Sequence, residues 1–329
     1  MTKYLANYLI LPKGVQSILF KSYVYFIPLL YSLTIDPNDS IYLHNFLIFL
    51  TIFILFELVI NPSRYQLNDV VDYEGDQRRG HHWQRPVNKE NILLVVVIAL
   101  SRFILGTTIA FILDIRLGYI AIALLTLQLL YDHFAKNFSP FLAVFTVALA
   151  YPIRSISMFY GLKIELNNIS GLLLLSIFFY SAYMVIQWRK YESIYITVNK
   201  LSSKTHSDFF SSHIIEFLNS FILLALVIVF VPLVVSLLKI DAANAVPVYV
   251  LSTFFAITLL LCNKNILNKI FAQSHNILIS LIFLILTQNK YIIGLTISWF
   301  SIFVLFWYHR IYVERFADNY FTQTHYEKR

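Results

Sequence analysis

Apolar residues in this chain come in long unbroken runs, not in alternation, and short polar stretches divide the runs. Ten runs are read near 17–34, 41–61, 91–112, 117–133, 140–160, 170–187, 214–238, 247–262, 276–288 and 291–309. Most approach or reach the roughly 18–20 residues that a helix needs to cross the hydrocarbon layer of a bilayer. Strands of a membrane barrel would alternate over about ten residues, so that class is excluded. The expected fold class is all-α: a polytopic membrane helical bundle of nine or ten transmembrane helices around a central cavity open to the cytoplasmic side. The count turns on 276–288, which is short for a crossing.

Composition agrees with the pattern. Hydrophobic residues make up 58% of the 329 and charged ones 13%, too apolar a balance for a soluble domain. No Pro/Gly/Ser linker or low-complexity tract divides the chain, so residues 1–329 are read as one membrane domain. Cys262 is the sole cysteine, which rules out an intrachain disulfide and a thiol metal cage. The opening MTKYLANYLILPKGVQSILF lacks a small-residue cleavage site after its apolar part, so no signal peptide is expected.

The formal charge of +7 invites a polyanion reading until its distribution is examined. If the loops after even-numbered runs share the side of the N-terminus, that side carries eighteen Lys and Arg. The opposite side carries four: Arg116, Lys163, Lys239 and Lys290. Such an excess marks the cytoplasmic face of a membrane protein, and no nucleic acid is needed to explain it.

Two polar segments, 62–90 and 188–212, follow the second and sixth runs and are expected to be cytoplasmic loops over one cavity. The first contains YQLNDVVDYEGDQRRGHHWQRPV, in which Asp69, Asp72, Glu74 and Asp76 crowd together. On a helix, Asn68, Asp72 and Asp76 would share one face, with Asp69 beside them. Like charges at that spacing repel by about 0.2–0.5 kcal/mol per pair on an isolated helix, so a cation among the oxygens is expected. Mg2+ suits the set, being held by one or two carboxylates plus substrate phosphate oxygens. Asp69, Asp72 and Asp76 are therefore the candidate metal ligands and catalytic residues. Arg78, Arg79 and Arg85 would face phosphate with their planar forks. His81 and His82, adjacent in sequence, make a poor paired ligand. The competing reading is an ordinary solvated loop of mixed charge.

Charges inside apolar runs add candidates, since each costs at least about 2.5–3.5 kcal/mol near a bilayer centre and usually faces a polar cavity. Arg154 needs a carboxylate or phosphate partner there. Lys21 either reaches the interface along its own stem or touches substrate. Arg102 and Glu57 are read as partners for other helices, without assigned chemistry. Tyr131 and Lys136 end the fourth run on the side of the acidic segment.

The stretch NDVVDYEGD followed by RPV resembles the first signature of the UbiA prenyltransferase superfamily. The resemblance implies a helical membrane enzyme that binds a diphosphate donor through Mg2+. It implies metal–diphosphate duties for Asn68, Asp69, Asp72 and Asp76, and a phosphate contact for Arg85. Where most members carry a second Asp-rich motif, this chain has QWRKYESIYI, with Glu192 the nearby acid. That stretch, YDHFAKNFSPFLAVFTVALAYPIRSISMFYG and KSYVYFIPL are similar to the decaprenyl-phosphate phosphoribosyltransferase branch. The positions that carry this similarity are Lys21, Tyr131, Lys136, Arg154, Arg189, Lys190 and Glu192. RRGHHW departs from the His-Pro-x-Lys-Arg run usual in the branch.

Three functions follow as expectations. In the first, phosphoribosyl diphosphate binds through Mg2+ at the acidic row. A polyprenyl phosphate, held by Lys136, Arg154, Arg189 and Lys190 with Glu192 orienting them, attacks the sugar. In the second, a prenyl diphosphate alkylates an aromatic or other small acceptor, and aromatic walls steady the cation. In the third, the chain is a transporter or a non-catalytic scaffold, although transporter sites lie near the midplane and these acids lie at a boundary. The expected location is a bacterial cell membrane, multi-pass, with the site facing the cytoplasm. Expected partners are an isoprenoid lipid, a diphosphate-bearing donor and membrane lipids, with a homo-oligomer left open.

Overall fold

The computed structural model describes residues 3–12, 18, 21–35, 39–78, 86–198 and 213–237. Among them there is no strand. Hydrocarbon offers backbone N–H and C=O groups no partner, so apolar runs of this length satisfy themselves as helices.

The helices are α1 (Lys3–Ile10), α2 (Tyr23–Ile35), α3 (Asp39–Phe53), α4 (Asn61–Arg78), α5 (Ile92–Leu113), α6 (Ile115–Leu130), α7 (Lys136–Phe138), α8 (Pro140–Gly161), α9 (Asn168–Val198) and α10 (His213–Leu237). A π-helical segment, Ile54–Ile60, joins α3 to α4, and a second, Tyr131–Ala135, joins α6 to α7. Both junctions are continuous, so each set of segments makes one long rod. Among the described residues, six helices are long and apolar enough to cross a membrane: Leu43–Gly75, Ile92–Leu113, Ile115–Phe138, Pro140–Gly161, Asn168–Ile186 and Phe217–Leu237. This is the architecture of a membrane protein.

Five of these match the expected third to seventh runs within about five residues, and the remaining one begins with the expected second run, 41–61, but continues fourteen residues past its end, to Gly75. The expected first run, 17–34, is described as a shorter apolar helix, Tyr23–Leu33. The expected runs 247–262, 276–288 and 291–309, together with Cys262, lie outside the described residues. Much of the two expected polar loops is helix instead. The rod Leu43–Gly75 has 33 residues, about 50 Å at the usual rise, which exceeds the roughly 30 Å hydrocarbon layer. Its acidic end therefore extends beyond the apolar layer as helix, and α9 likewise continues to Val198.

Packing places α2 at the centre. Tyr23, Val24, Tyr25, Phe26, Ile27, Leu29 and Leu30 are all buried, chiefly against α3 and α8. α5 lies outside, exposing Leu93, Ile104, Leu105 and Ile112 as a lipid-facing helix does. α1 packs separately, with Leu5, Tyr8 and Leu9 in a small cluster with Val87 and Val95.

Local chemistry explains the tight turns. One residue, Asp114, connects α5 to α6; its Oδ1 accepts from the Arg116 amide at 2.8 Å, capping the new helix. The Arg116 side chain also donates to that carboxylate, holding Asp114 below the usual carboxylate range. Gly118 sits against the folded-back Phe111 ring, where an added Cβ would lie 2.2 Å from a ring carbon. α8 ends as Ile164 N–H donates to Phe159 C=O at 2.9 Å, with Lys163 in the left-handed region at φ 56°.

Candidate functional site

The rod through Ile54–Ile60 and α4 carries a polar face inside an otherwise apolar bundle: Glu57, Asn61, Arg64, Asn68 and Asp72 at helical spacing. Its deep end is an ion pair. Arg154 of α8, 2% exposed, donates through Nη1 to Glu57 Oε1 at 2.7 Å, and Glu57 is 1% exposed. The same oxygen accepts from Tyr25 Oη and Asn61 Nδ2, each at 2.8 Å. Arg154 also donates Nε to the Ala150 carbonyl and stacks its guanidinium over Tyr151, 4.3 Å from the ring centroid. The partner that Arg154 requires is thus a carboxylate of the protein, so in this structure it is a framework cation.

From Asn61 the network climbs. Arg64 Nη1 donates to Asn61 Oδ1 at 2.7 Å. Above that level two helices are laddered together. Arg64 Nη2 donates to Gln128 Oε1 at 3.4 Å, Asn68 Nδ2 donates to Asp132 Oδ1 at 2.5 Å, and Lys136 Nζ is ion-paired with Asp72. Both rows advance four residues per rung, so the two rods run in the same direction. Gln128 Nε2 also donates to both Asp132 oxygens at 3.0 Å, tying the first two rungs into one network. The inner rungs are largely buried. The outer one is half-open, with Lys136 and Asp72 side chains 21% and 14% exposed.

Other expected residues gather around this ladder. Asp69 is 1% exposed and accepts from Tyr8 Oη of α1 at 3.0 Å, one helix position away from the ladder face. Tyr131 accepts from Arg189 of α9, which brings a third helix to the rim. Lys21 donates to Tyr65 Oη at 2.7 Å, with its Nζ 4.7 Å from the Tyr65 ring centroid. Lys21 therefore has a partner inside the protein. Asp76 and Arg78 are on the last turn of α4, and Lys190 and Glu192 on α9, but their side chains lie outside the described residues. So do Arg79, His81, His82 and Arg85.

Among the described residues, no three His, Cys, Asp or Glu side chains converge as a metal cage. A closed cage is not what Mg2+ uses beside a diphosphate; one or two carboxylates and substrate oxygens suffice. Asp72, 14% exposed and one turn from the Asn68 carboxamide, is a hard-oxygen group of the kind that could take part in such a site.

The sequence reading did not pick out Gln128, Asp132 or Arg64, and gave Glu57 no chemistry. A signal was present: Gln128, Asp132 and Lys136 repeat the four-residue spacing of Asn68, Asp72 and Asp76 at the end of an apolar run. Fold and site together define a helical membrane protein with a charged, hydrogen-bonded seam opening at one end. Compared with protein-family models and with curated proteins, the chain matches none.

Proposed function

We propose that the protein is a membrane-embedded, Mg2+-dependent transferase whose donor loses diphosphate. The best-supported reaction is transfer of a phosphoribosyl group from phosphoribosyl diphosphate to a polyprenyl phosphate. One observation carries this reading: a half-open carboxylate, Asp72, stands in contact with a lysine at the rim of a buried polar seam. Acid and base side by side at an apolar boundary suit a substrate with an anionic head and a hydrocarbon tail. The likeness of NDVVDYEGD and WRKYE to the UbiA superfamily and its phosphoribosyltransferase branch supports the same reading.

In this scheme Asp72 and Asp76 hold the metal beside the Asn68 carboxamide, and Asp69, buried against Tyr8, fixes α1 to α4 beneath them. Bound Mg2+ supplies neutralisation of charge on the departing diphosphate. The chain does the rest. Arg78 and Arg85 take diphosphate oxygens through paired hydrogen bonds. Lys136, Arg189 and Lys190 orient the acceptor phosphate, and Tyr131 and Glu192 hold those cations in place. Arg154 and Lys21 keep the seam rigid from below. The anionic acceptor explains cations where a second metal site would need acids.

A second reading is prenyl transfer to an aromatic or other small acceptor. It is favoured by the tyrosines beside the seam: Tyr23 stacks on Tyr151 at 6.1 Å and meets Tyr180 edge-on at 5.1 Å. Such faces would steady an allylic cation.

Purified protein with Mg2+, offered phosphoribosyl diphosphate plus polyprenyl phosphate or prenyl diphosphate plus an aromatic acid, distinguishes the two. We expect diphosphate release with the first pair, and a drop of at least about a hundredfold in Asp72→Asn. Release with neither pair, or an Asp72→Asn rate equal to wild type, rejects the reading.

A further inference from the structure

The ladder's outer rung differs from the inner two in chemistry as well as exposure. Arg64–Gln128 and Asn68–Asp132 are cross-tied amide and guanidinium contacts in the buried seam. Asp72 meets instead a lysine: a compact, strongly hydrated ammonium on a flexible stem, at a partly exposed position. An ammonium held this way satisfies a carboxylate without enclosing it, and leaves by rotation of its own stem.

We propose that Lys136 is a tethered cation that occupies Asp72 until a divalent ion takes its place. The displaced ammonium then becomes available to an anionic substrate group at the same rim. The buried Asn68–Asp132 rung keeps the two rods in register while the exchange occurs, so only the outer side chains move. This rests on the transferase reading in one respect, that Asp72 is a metal ligand. It adds an order of events: metal first, then a lysine free to receive the phosphate. A fixed ion pair would require no such order.

The test uses the full chain in detergent micelles, with Mn2+ as the probe and its binding read by electron paramagnetic resonance. Lys136 is followed separately by acetic anhydride modification and mass spectrometry, and each variant's thermal unfolding confirms that it folds. Occupancy of Asp72 by Lys136 nine-tenths of the time weakens apparent metal affinity about tenfold. Lys136→Met should therefore bind Mn2+ roughly tenfold more tightly. In wild type, Mn2+ should raise acetylation of Lys136; in Asp72→Asn it should not.

Acetylation is decisive, because removing a positive charge tightens Mn2+ binding even without an exchange. If wild type binds Mn2+ and Lys136 acetylation stays constant, the exchange is overturned whatever the affinities, while the transferase reading stands. If neither wild type nor Lys136→Met binds Mn2+, the metal assignment of Asp72 falls and the exchange falls with it.

Discussion

Glu57 shows what a single residue decides in this bundle. Its Oε1 receives hydrogen bonds from Tyr25, Asn61 and Arg154, which stand on three different segments of the fold. Removing one member of a buried ion pair strands the other charge, at a cost of about 3–5 kcal/mol. Glu57→Leu should therefore lower the unfolding midpoint strongly, whereas Glu57→Leu combined with Arg154→Met should recover much of the loss. Unfolding of Glu57→Leu, Arg154→Met and the double variant in detergent measures the cycle; a double-variant loss equal to the sum of the two single losses would show that the pair is not coupled. The sequence announced Arg154 as a charge in need of a partner, because an unpaired guanidinium is costly in an apolar run. It did not say which carboxylate, since pairing across almost a hundred positions depends on how the rods cross.

At the scale of elements, apolar run length carried most of the information. Runs 91–112, 140–160 and 170–187 correspond closely to Ile92–Leu113, Pro140–Gly161 and Asn168–Ile186, because lipid leaves the backbone no alternative to helix. The polar segments were less legible. Tyr65–Arg78 reads as a charged loop, yet Tyr8, Asp132 and Lys136 provide partners for its polar groups, and the helix continues. Those partners are tertiary, so no local pattern reveals them. The α5–α6 turn, by contrast, rests on adjacent residues. Asp114→Ala removes the cap and should cost about 1 kcal/mol in thermal unfolding at neutral pH. The Arg116 contacts lower the Asp114 pKa, so its stabilisation is full above the unfolded carboxylate value of about 4. It is lost as pH falls through the lower folded value. The difference between wild type and Asp114→Ala should narrow in that acidic window; a gap that widens there contradicts the assignment.

The whole molecule separates an apolar exterior from an interior seam that runs from Arg154 to Asp72. Every rung of that seam depends on two rods holding the same azimuth, and in each rod the α-helix is interrupted by a π-helical stretch next to the seam. A π turn accommodates about one more residue than an α turn. Deleting Leu58, which faces outward within Ile54–Ile60, should let that stretch relax to α-helix while the ladder beyond it keeps its azimuth. Deleting Val71, exposed in the regular α-helix between Asn68 and Asp72, has no such slack and would re-clock everything beyond it by about 100° relative to the core. The far-UV circular dichroism should stay helical in both variants, while Mn2+ binding persists without Leu58 and disappears without Val71; binding lost in both would show that the π stretch does not absorb the extra residue. A three-nucleotide loss at the Val71 codon would thus leave every charged side chain in the protein and dial the acids out of mesh with the bases, like a gear slipped by one tooth.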